Sequence, residues 1–268
     1  FGHAGVRAFD HVVGFAAIRG DYHADAFGLV VNPQAGLVLD GGDAGRIRAS
    51  ISRGYRPPTL YEQFFSTASG LPPSDLAPER SVTGELSLER YLGEHMRLLV
   101  VGFQQNVTNL ISITMAEDAT GVFANHGGAT SYGVETELEG RWKRLQLNAT
   151  YSFTHARNTD GTTPANAPSS LASLRVLAPF ANGRVDAGVE SFFVGKRTSF
   201  NGAMIDPLFT TNAVVTIHDI AKSLDLTLGV TNAFDERGGD PAGEEHRQSR
   251  IPHDPRTLWL RVSVGLDP

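Results

Sequence analysis

The sequence lacks cysteine altogether and contains only three lysines among its 268 residues. Without cysteine, the chain can form no disulfide, no thiol nucleophile and no zinc site with sulfur ligands. It also lacks any run approaching the roughly 18 to 20 apolar residues that a membrane-spanning helix needs. Because the net charge is -6 and no cluster of Lys and Arg stands out, we expect no nucleic-acid partner.

What the sequence has in quantity is alternation of apolar and polar residues, broken by 29 glycines and 14 prolines. In the stretch LQLNATYSF, residues 145–153, every odd-numbered residue is apolar and every even-numbered residue is polar. This period of two predicts a β-strand with one apolar and one polar face. The pattern recurs at 82–89, 131–142, 224–231 and 257–266. The whole chain is predicted to contain about twelve strands, although the register of 97–114 stays open because its beginning is apolar on both faces.

The predicted connections between strands alternate in length. Short ones fall at 40–45, 91–95, 142–144, 179–183 and 219–223, and long ones at 55–80, 115–129, 157–168, 199–207 and 235–256. Bacterial outer-membrane barrels have short turns in the periplasm and long loops outside, joined by tilted strands of roughly 9 to 11 residues. The sequence therefore predicts an all-β fold, a transmembrane antiparallel β-barrel in the bacterial outer membrane and in contact with its lipid.

The polar faces of these strands carry many charged residues, which we expect to point into the barrel or toward a plug. Charges in that position need water or a polar partner, so the predicted lumen is wide and either wet or plugged. Aromatic girdles are expected at the two membrane interfaces. We predict Tyr91 and Trp142 at the inner one and Phe192–Phe193, Phe209, Phe234 and Trp259 at the outer one. The predicted lumen-facing residues are Arg46, Arg48, Glu85, Glu89, Glu135, Glu137, Glu139, Arg141 and Arg261.

The longest predicted loop begins where the strand 46–53 runs into Pro57-Pro58. A proline pair cannot donate hydrogen bonds to a sheet ladder, so the strand ends there and the chain enters an external loop. Leu60, Tyr61, Phe64 and Phe65 give this loop an apolar cluster, and further prolines follow before Ser81. A flexible polar loop would not need such a cluster, and we expect this one to be structured and functional.

Four motifs, in order, resemble those of TonB-dependent outer-membrane receptors. GYRPPTLYEQF followed by SDLAPERS resembles the family's aromatic-Arg-x-Pro-Thr-Leu and Asn-x-x-Leu-x-Pro-Glu segments, and FANHGGATSYGVETE resembles its Asn-x-Gly segment ending in Gly-x-Glu. GVTNAFDE resembles the Gly-Val-x-Asn-Leu-Phe-Asp segment. PHDPRTLWLRVSVGL resembles the final loop and strand, except that Asp254-Pro255-Arg256 stands in place of Gly-Arg.

This resemblance implies a receptor of about 22 strands surrounding an N-terminal plug. About twelve strands would then correspond to the C-terminal half of the barrel. Nothing in the sequence resembles the plug or the segment that binds the TonB energy-coupling protein. We therefore expect residues 1–268 to be a partial receptor barrel domain whose plug and first strands are absent.

The resemblance also implies a function, the active uptake of a scarce chelate such as a ferric siderophore, haem or cobalamin. Aromatic and Arg side chains in the external loops would capture the chelate, with no cofactor and no catalytic residue. A passive pore of about twelve strands with a charged lumen is the alternative, and a soluble all-β binding module is a third possibility. The candidate ligand-binding residues are Tyr55, Arg56, Tyr61, Phe64, Phe65, His126 and Phe200.

Three patterns that could support other chemistry are weaker. Glu244, Glu245 and His246 are adjacent, but on a predicted loop where solvated charge is usual, and we expect no metal site. His126 and Ser131 lack the surrounding sequence of a lipase site. Glu85 and Glu135 could imitate a glycosidase pair, but charges that alternate along a lumen face are more simply contacts for a plug.

Overall fold

The alternating stretches form β-strands in the computed structural model. It describes residues 2–9, 11–23, 27–64, 75–115, 121–221, 223–243 and 246–265, with side chains for all of these except 2–9 and 114–115. The single described α-helix is α1 (Leu60–Phe64). No helix in this part of the chain has both the length and the apolar character to cross a membrane. The strands are β1 (Gly2–Phe9), β2 (Val12–His23), β3 (Gly28–Asp40), β4 (Gly45–Arg56), β5 (Glu79–Leu92), β6 (Met96–Thr108), β7 (Ile111–Met115), β8 (Gly121–Asn125), β9 (Gly128–Trp142), β10 (Leu145–Asn158), β11 (Ser170–Phe180), β12 (Val185–Val194), β13 (Arg197–Thr198), β14 (Met204–Ile205), β15 (Leu208–Ala221), β16 (Leu224–Thr231), β17 (Gly239–Pro241), β18 (Arg250–Pro252) and β19 (Thr257–Val264).

Thirteen of the described strands belong to one sheet in the order β1-β2-β3-β4-β5-β6-β9-β10-β11-β12-β15-β16-β19. The remaining strands form three small hairpins, β7-β8, β13-β14 and β17-β18. The hairpin β17-β18 lies within the predicted long connection 235–256, whereas β7-β8 and β13-β14 begin before the predicted connections 115–129 and 199–207 and overlap them only in part. From β3 onward the connections of this sheet alternate in length as expected, since β3-β4, β5-β6, β9-β10, β11-β12 and β15-β16 are joined by short turns. The connection between β2 and β3 is short as well.

One compact unit comprises Phe1–Leu88, Val101–Gly133 and His155–Thr163. Strand pairing sets Leu39 opposite Ile47 and Ala35 opposite Ile51, and these aliphatic side chains are exposed on one face. On the other face the guanidinium of Arg48 lies 5.0 Å from the ring centroid of Phe15. Gly36 pairs with Phe15, and a Cβ there would collide with that ring. The unit therefore separates an exposed apolar face from a polar one.

The second unit comprises Glu89–Val100, Val134–Thr154 and Pro164–Pro268, and it shows the same separation. Leu228 pairs with Leu260, and their side chains are 51% and 60% exposed. One residue further along β19, Arg261 pairs with Thr227 on the opposite face. Arg175 and Glu190 also pair on that polar face and form a salt bridge. The exposed leucines of β16 and β19 thus lie on one face of the sheet and the charged residues on the other, and a soluble sheet would cover such an apolar face.

Two of the predicted girdle aromatics lie on the wrong face for contact with lipid. Trp259 shares its face with Arg261, whose guanidinium lies 5.5 Å from the Trp259 ring centroid. Gly229, which pairs with Trp259 across the sheet, has no room for a Cβ beneath the indole ring. Phe192 pairs with Thr210 on the same polar face, whereas Phe193 pairs with Phe209 on the apolar face. For Trp259, a glycine that accommodates the ring and a cation that stacks on it outweigh the general preference of Trp for the interface.

Candidate functional site

The long connection between β4 and β5 is held by an ionic clasp in the first unit, formed by Arg56, Glu62 and Glu79. Arg56 is the last residue of β4 and Glu79 the first of β5. The Arg56 guanidinium donates through Nε and Nη2 to both Glu79 carboxylate oxygens, each at 2.7 Å. It also donates through Nη1 and Nη2 to both Glu62 oxygens, each at 3.0 Å. Two bidentate pairs share one guanidinium, an arrangement whose fixed fork gives strong and directional bonds.

The helix α1 follows from the local sequence. Pro57-Pro58 cannot continue the strand, and Thr59 then caps the first turn by accepting a bond from the Glu62 amide at 3.2 Å. The Glu62 carboxylate accepts in return from the Thr59 amide at 2.7 Å, which is a capping box. Partial burial raises the pKa of the Glu62 carboxylate. The hydrogen bonds from Arg56 and Thr59 lower this pKa by more than burial raises it, so the net shift is downward. The clasp therefore stays ionised across the physiological pH range.

Asn125, the last residue of β8, connects the hairpin β7-β8 to residue Ala77 in the connection between β4 and β5. Its Nδ2 donates to the carbonyls of Ala77 at 2.8 Å and Asn109 at 2.9 Å. Its Oδ1 accepts from the Ala77 amide at 2.7 Å. Glu79 adds a second connection, because it accepts from the Ile111 amide at 2.9 Å. The residues Arg56, Glu62, Glu79 and Asn125 are called the loop-base cluster below.

The candidate ligand-binding residues of the first unit occupy different environments. Tyr61 is 65% exposed on α1, and its ring stands edge-on to Phe123 of β8 with centroids 5.9 Å apart. Phe64 is also exposed, as is His126. Tyr55 instead packs within the strand wall, where its hydroxyl lies 3.1 Å from His23 Nε2 and its ring is edge-on to Phe27. Arg56 is engaged in the clasp, and Phe65 lies outside the described residues.

The sequence does not predict that Phe123 and Asn125 contact the connection between β4 and β5. Phe123 lies in a segment that reads as an ordinary loop, because the hairpin β7-β8 has no clear alternation to predict it. Asn125 stands in a motif that resembles the receptor family, but nothing in the motif shows which backbone groups its side chain bonds.

In the second unit Arg197 joins three connections. Its side chain is 6% exposed, and it donates to Asp240 Oδ1 at 2.7 Å and to the Gly239 carbonyl at 3.1 Å. A longer contact of 3.4 Å reaches Asn166 Oδ1. His253 Nε2 lies 2.8 Å from the other Asp240 oxygen. Burial raises the pKa of Asp240, but the bonds from Arg197 and His253 lower it more, so the net shift is downward.

Asn232 closes the last long connection of the second unit. Its side chain is almost fully buried. It donates to the Glu236 carbonyl at 2.9 Å and the Asp254 carbonyl at 3.1 Å, and it accepts from the Glu236 amide at 2.8 Å. Phe200, the remaining candidate, is 51% exposed between β13 and β14 in this unit.

The predicted lumen-facing residues lie on the polar faces wherever the strand pairing or hydrogen bonding resolves their orientation. Arg46 pairs with Asp40 and Arg48 with Val38 in the first unit, where Glu85 lies 3.5 Å from the Ser50 hydroxyl.

In the second unit Arg97 forms salt bridges with Glu89, Glu137 and Glu139 at 2.6 to 3.5 Å. Arg97 and Glu139 border a cavity of 610 Å³ that Arg141 and Arg175 also line. Whether these charges face a plug stays a prediction.

The described residues contain no group of three or more His, Asp or Glu placed to hold a metal ion. Glu244 and Glu245, which the sequence places beside His246, lie outside the described residues. The arrangement seen in the loops is one of hydrogen bonds and ion pairs that fix backbone positions, together with exposed aromatic rings.

A model of the family described as TonB dependent receptor-like, beta-barrel, matches residues 2–233. The chain belongs to the TonB-dependent receptor family. This family consists of transport receptors rather than enzymes, and its barrels lie in the bacterial outer membrane. The predictions of the receptor family, of an all-β antiparallel barrel fold and of an outer-membrane location are thereby confirmed. A comparison with curated proteins found no match.

Several solved structures of outer-membrane receptors share the fold. The ferric-catecholate import receptor Fiu of E. coli K12 is 15% identical with a TM-score of 0.76, over 97% of this chain and 43% of that one. The ferripyoverdine receptor of Pseudomonas aeruginosa is 18% identical with a TM-score of 0.79, over 98% and 37%. The FrpB iron transporter of Neisseria meningitidis is 15% identical with a TM-score of 0.76, over 98% and 44%. The chain therefore spans less than half the length of these receptors.

Proposed function

We propose that this chain is part of a TonB-dependent receptor for the active uptake of a scarce chelate, with a ferric siderophore as the first candidate and haem or cobalamin as others. The main observation in support is the family match together with long loops that are fixed at their bases and present exposed aromatic rings. Fiu, the ferripyoverdine receptor and FrpB are named for iron or iron chelates, which favours a ferric complex. The proposed partners are an N-terminal plug, the TonB energy-coupling protein and the surrounding lipid.

The passive pore is not favoured. The family consists of receptors, and the solved structures that share the fold have much longer chains. A receptor needs an energy source to release its ligand inward, whereas a pore conducts down a gradient. The two functions therefore differ in their response to loss of the proton-motive force.

The test is uptake by cells that express the natural protein and lack their other receptors, with ferric 2,3-dihydroxybenzoate, ferripyoverdine, haem and cobalamin as probes. We expect accumulation of at least one probe and its loss on addition of an uncoupler. Accumulation that survives the uncoupler would support a pore. Absence of accumulation for all four would contradict uptake of these chelate classes.

Tyr61→Ala is expected to weaken binding of the accumulated probe about tenfold, because an exposed aromatic ring in a binding loop is a common anchor. Tyr22→Ala is the matched control, since Tyr22 is 73% exposed but lies in β2 rather than in a long loop. Equilibrium binding to outer-membrane preparations measures both. Equal affinities for the two variants and the parent would remove Tyr61 from the binding surface.

A further inference from the structure

Both N–H donors of the Asn125 side chain are already used in the structure, so it has no donor left for a ligand. Its carboxamide has two N–H donors and one acceptor oxygen, and all three take part in the bonds to Ala77 and Asn109. Both the amide and the carbonyl of Ala77 are bound, which fixes this residue against the end of β8 as a strand partner would. The Asn125 side chain therefore makes the two hydrogen bonds that a neighbouring strand would make to Ala77, and it joins two separate loops.

The other members of the loop-base cluster strengthen the same connection. Four of the five N–H donors of Arg56 are used in the bonds to Glu62 and Glu79. Glu79 then reaches the Ile111 amide at the start of β7. Arg56 thus binds the segment 57–64 to the ends of β4 and β5, and Glu79 and Asn125 bind the start of β5 and the segment 75–78 to the hairpin β7-β8. One consequence is that Arg56 has little capacity left for an anionic ligand.

The connection brings together two aromatic rings that belong to different elements. Tyr61 is on α1, next to Glu62 of the clasp, and Phe123 is two residues before Asn125 on β8. The edge-on contact of their rings at 5.9 Å depends on the helix and the hairpin holding their relative position. Aromatic pairs of this geometry contribute only about 0.5 to 1.5 kcal/mol beyond burial, so the polar bonds at the loop base dominate.

We propose that Asn125 is a positioning residue. It joins the loop between β4 and β5 to the hairpin β7-β8, so that Tyr61 and Phe123 form a single preorganised surface for the ligand. The claim that the two rings form a ligand-binding surface rests on the proposed uptake function. The connection between Asn125 and Ala77, called the junction below, rests on the hydrogen bonds alone. Preorganisation of this kind raises affinity because the loops are ordered before the ligand binds.

The test uses amide hydrogen exchange on the natural protein, because the Ala77 amide reports the junction directly. Asn125→Ala removes all three bonds, and exchange at Ala77 is expected to become about tenfold faster or more. Asn125→Asp keeps an oxygen acceptor for that amide but loses both donated bonds, so Ala77 is expected to stay protected. The control is Asn106→Ala, which removes a 2.9 Å side-chain bond from Thr130 in the same unit and touches no loop backbone. Amides of β4 and β9 show that each variant is folded.

Binding of the probe then tests whether the junction between Asn125 and Ala77 contributes to ligand affinity. If Asn125→Ala releases Ala77 and weakens binding about tenfold while Asn106→Ala does neither, the proposal holds. Unchanged exchange at Ala77 in Asn125→Ala overturns the junction, and faster exchange with parental affinity overturns the positioning role. If the parent binds none of the four probes, the proposed function fails, and the exchange data still decide whether the junction exists.

Discussion

Leu174→Arg is expected to destabilise the protein in its membrane by about 2–4 kcal/mol, the range for an Arg placed on the lipid face near the middle of a barrel strand. Leu174 lies in the interior of β11, opposite Ala149 and Ser191, and its side chain is 42% exposed. An arginine there would have to desolvate its charge among acyl chains or distort the sheet to reach water. Urea unfolding of the protein in lipid vesicles measures the difference.

Ser173→Arg is the matched control, one residue away at nearly the same depth. Ser173 pairs with Thr150 and Phe192 and shares the polar face with Arg175 and Glu190. The change costs the 2.7 Å bond between the Ser173 and Thr150 hydroxyls, and we expect less than about 1 kcal/mol. Equal costs for Ser173→Arg and Leu174→Arg would mean that both faces meet the same environment.

Arg197→Ala is expected to cost about 2–3 kcal/mol of local stability in the second unit. The substitution leaves the Gly239 carbonyl and one Asp240 oxygen without the donor they have now, and it opens space in the region where Arg197 is buried. Loss of one partner from a buried ion pair costs more than the pair contributes, although the exposure of Asp240 reduces the effect. Amide exchange at Asn166 and Ala242, whose amides bond to Thr198 and Ser249, measures it.

Arg175→Ala provides the comparison, because Arg175 forms its salt bridge with Glu190 largely in solvent, with 68% of its side chain exposed. Exposed ion pairs contribute about 0–1 kcal/mol. We expect almost no change in exchange at Asn166 and Ala242 for this variant. If Arg175→Ala and Arg197→Ala had the same effect there, burial would not be what makes Arg197 important.

Strands and connection lengths could be predicted from the sequence because they depend on patterns that are local. The alternation in 145–153 requires only that successive side chains point to opposite faces, and β10 covers this stretch. The short turns at 91–95 and 142–144 end strands that alternate clearly on both sides. Such features follow from backbone geometry and from the separation of a lipid-facing and a polar surface.

Contacts between distant segments could not be predicted in the same way. The sequence shows that Arg56 precedes two prolines, but not that Glu62 and Glu79 share its guanidinium. The three loop hairpins are short and lack alternation, so they read as irregular loops. The residue type of Trp259 predicts an interface position, whereas its face of the sheet is determined by its pairing with Gly229 and its contact with Arg261.

The measurement that tests the central claim most directly is a cysteine scan along β19, in which residues 1–268 contribute no background labelling because they contain no cysteine. Single cysteines replacing Thr257, Leu258, Leu260, Arg261, Val262 and Ser263 would each carry a fluorophore, and nitroxide-labelled lipid would act as the quencher. We predict strong quenching at Leu258, Leu260 and Val262 and weak quenching at Thr257, Arg261 and Ser263. Quenching without this alternation, or with the opposite alternation, would contradict the assignment of the exposed apolar face to lipid.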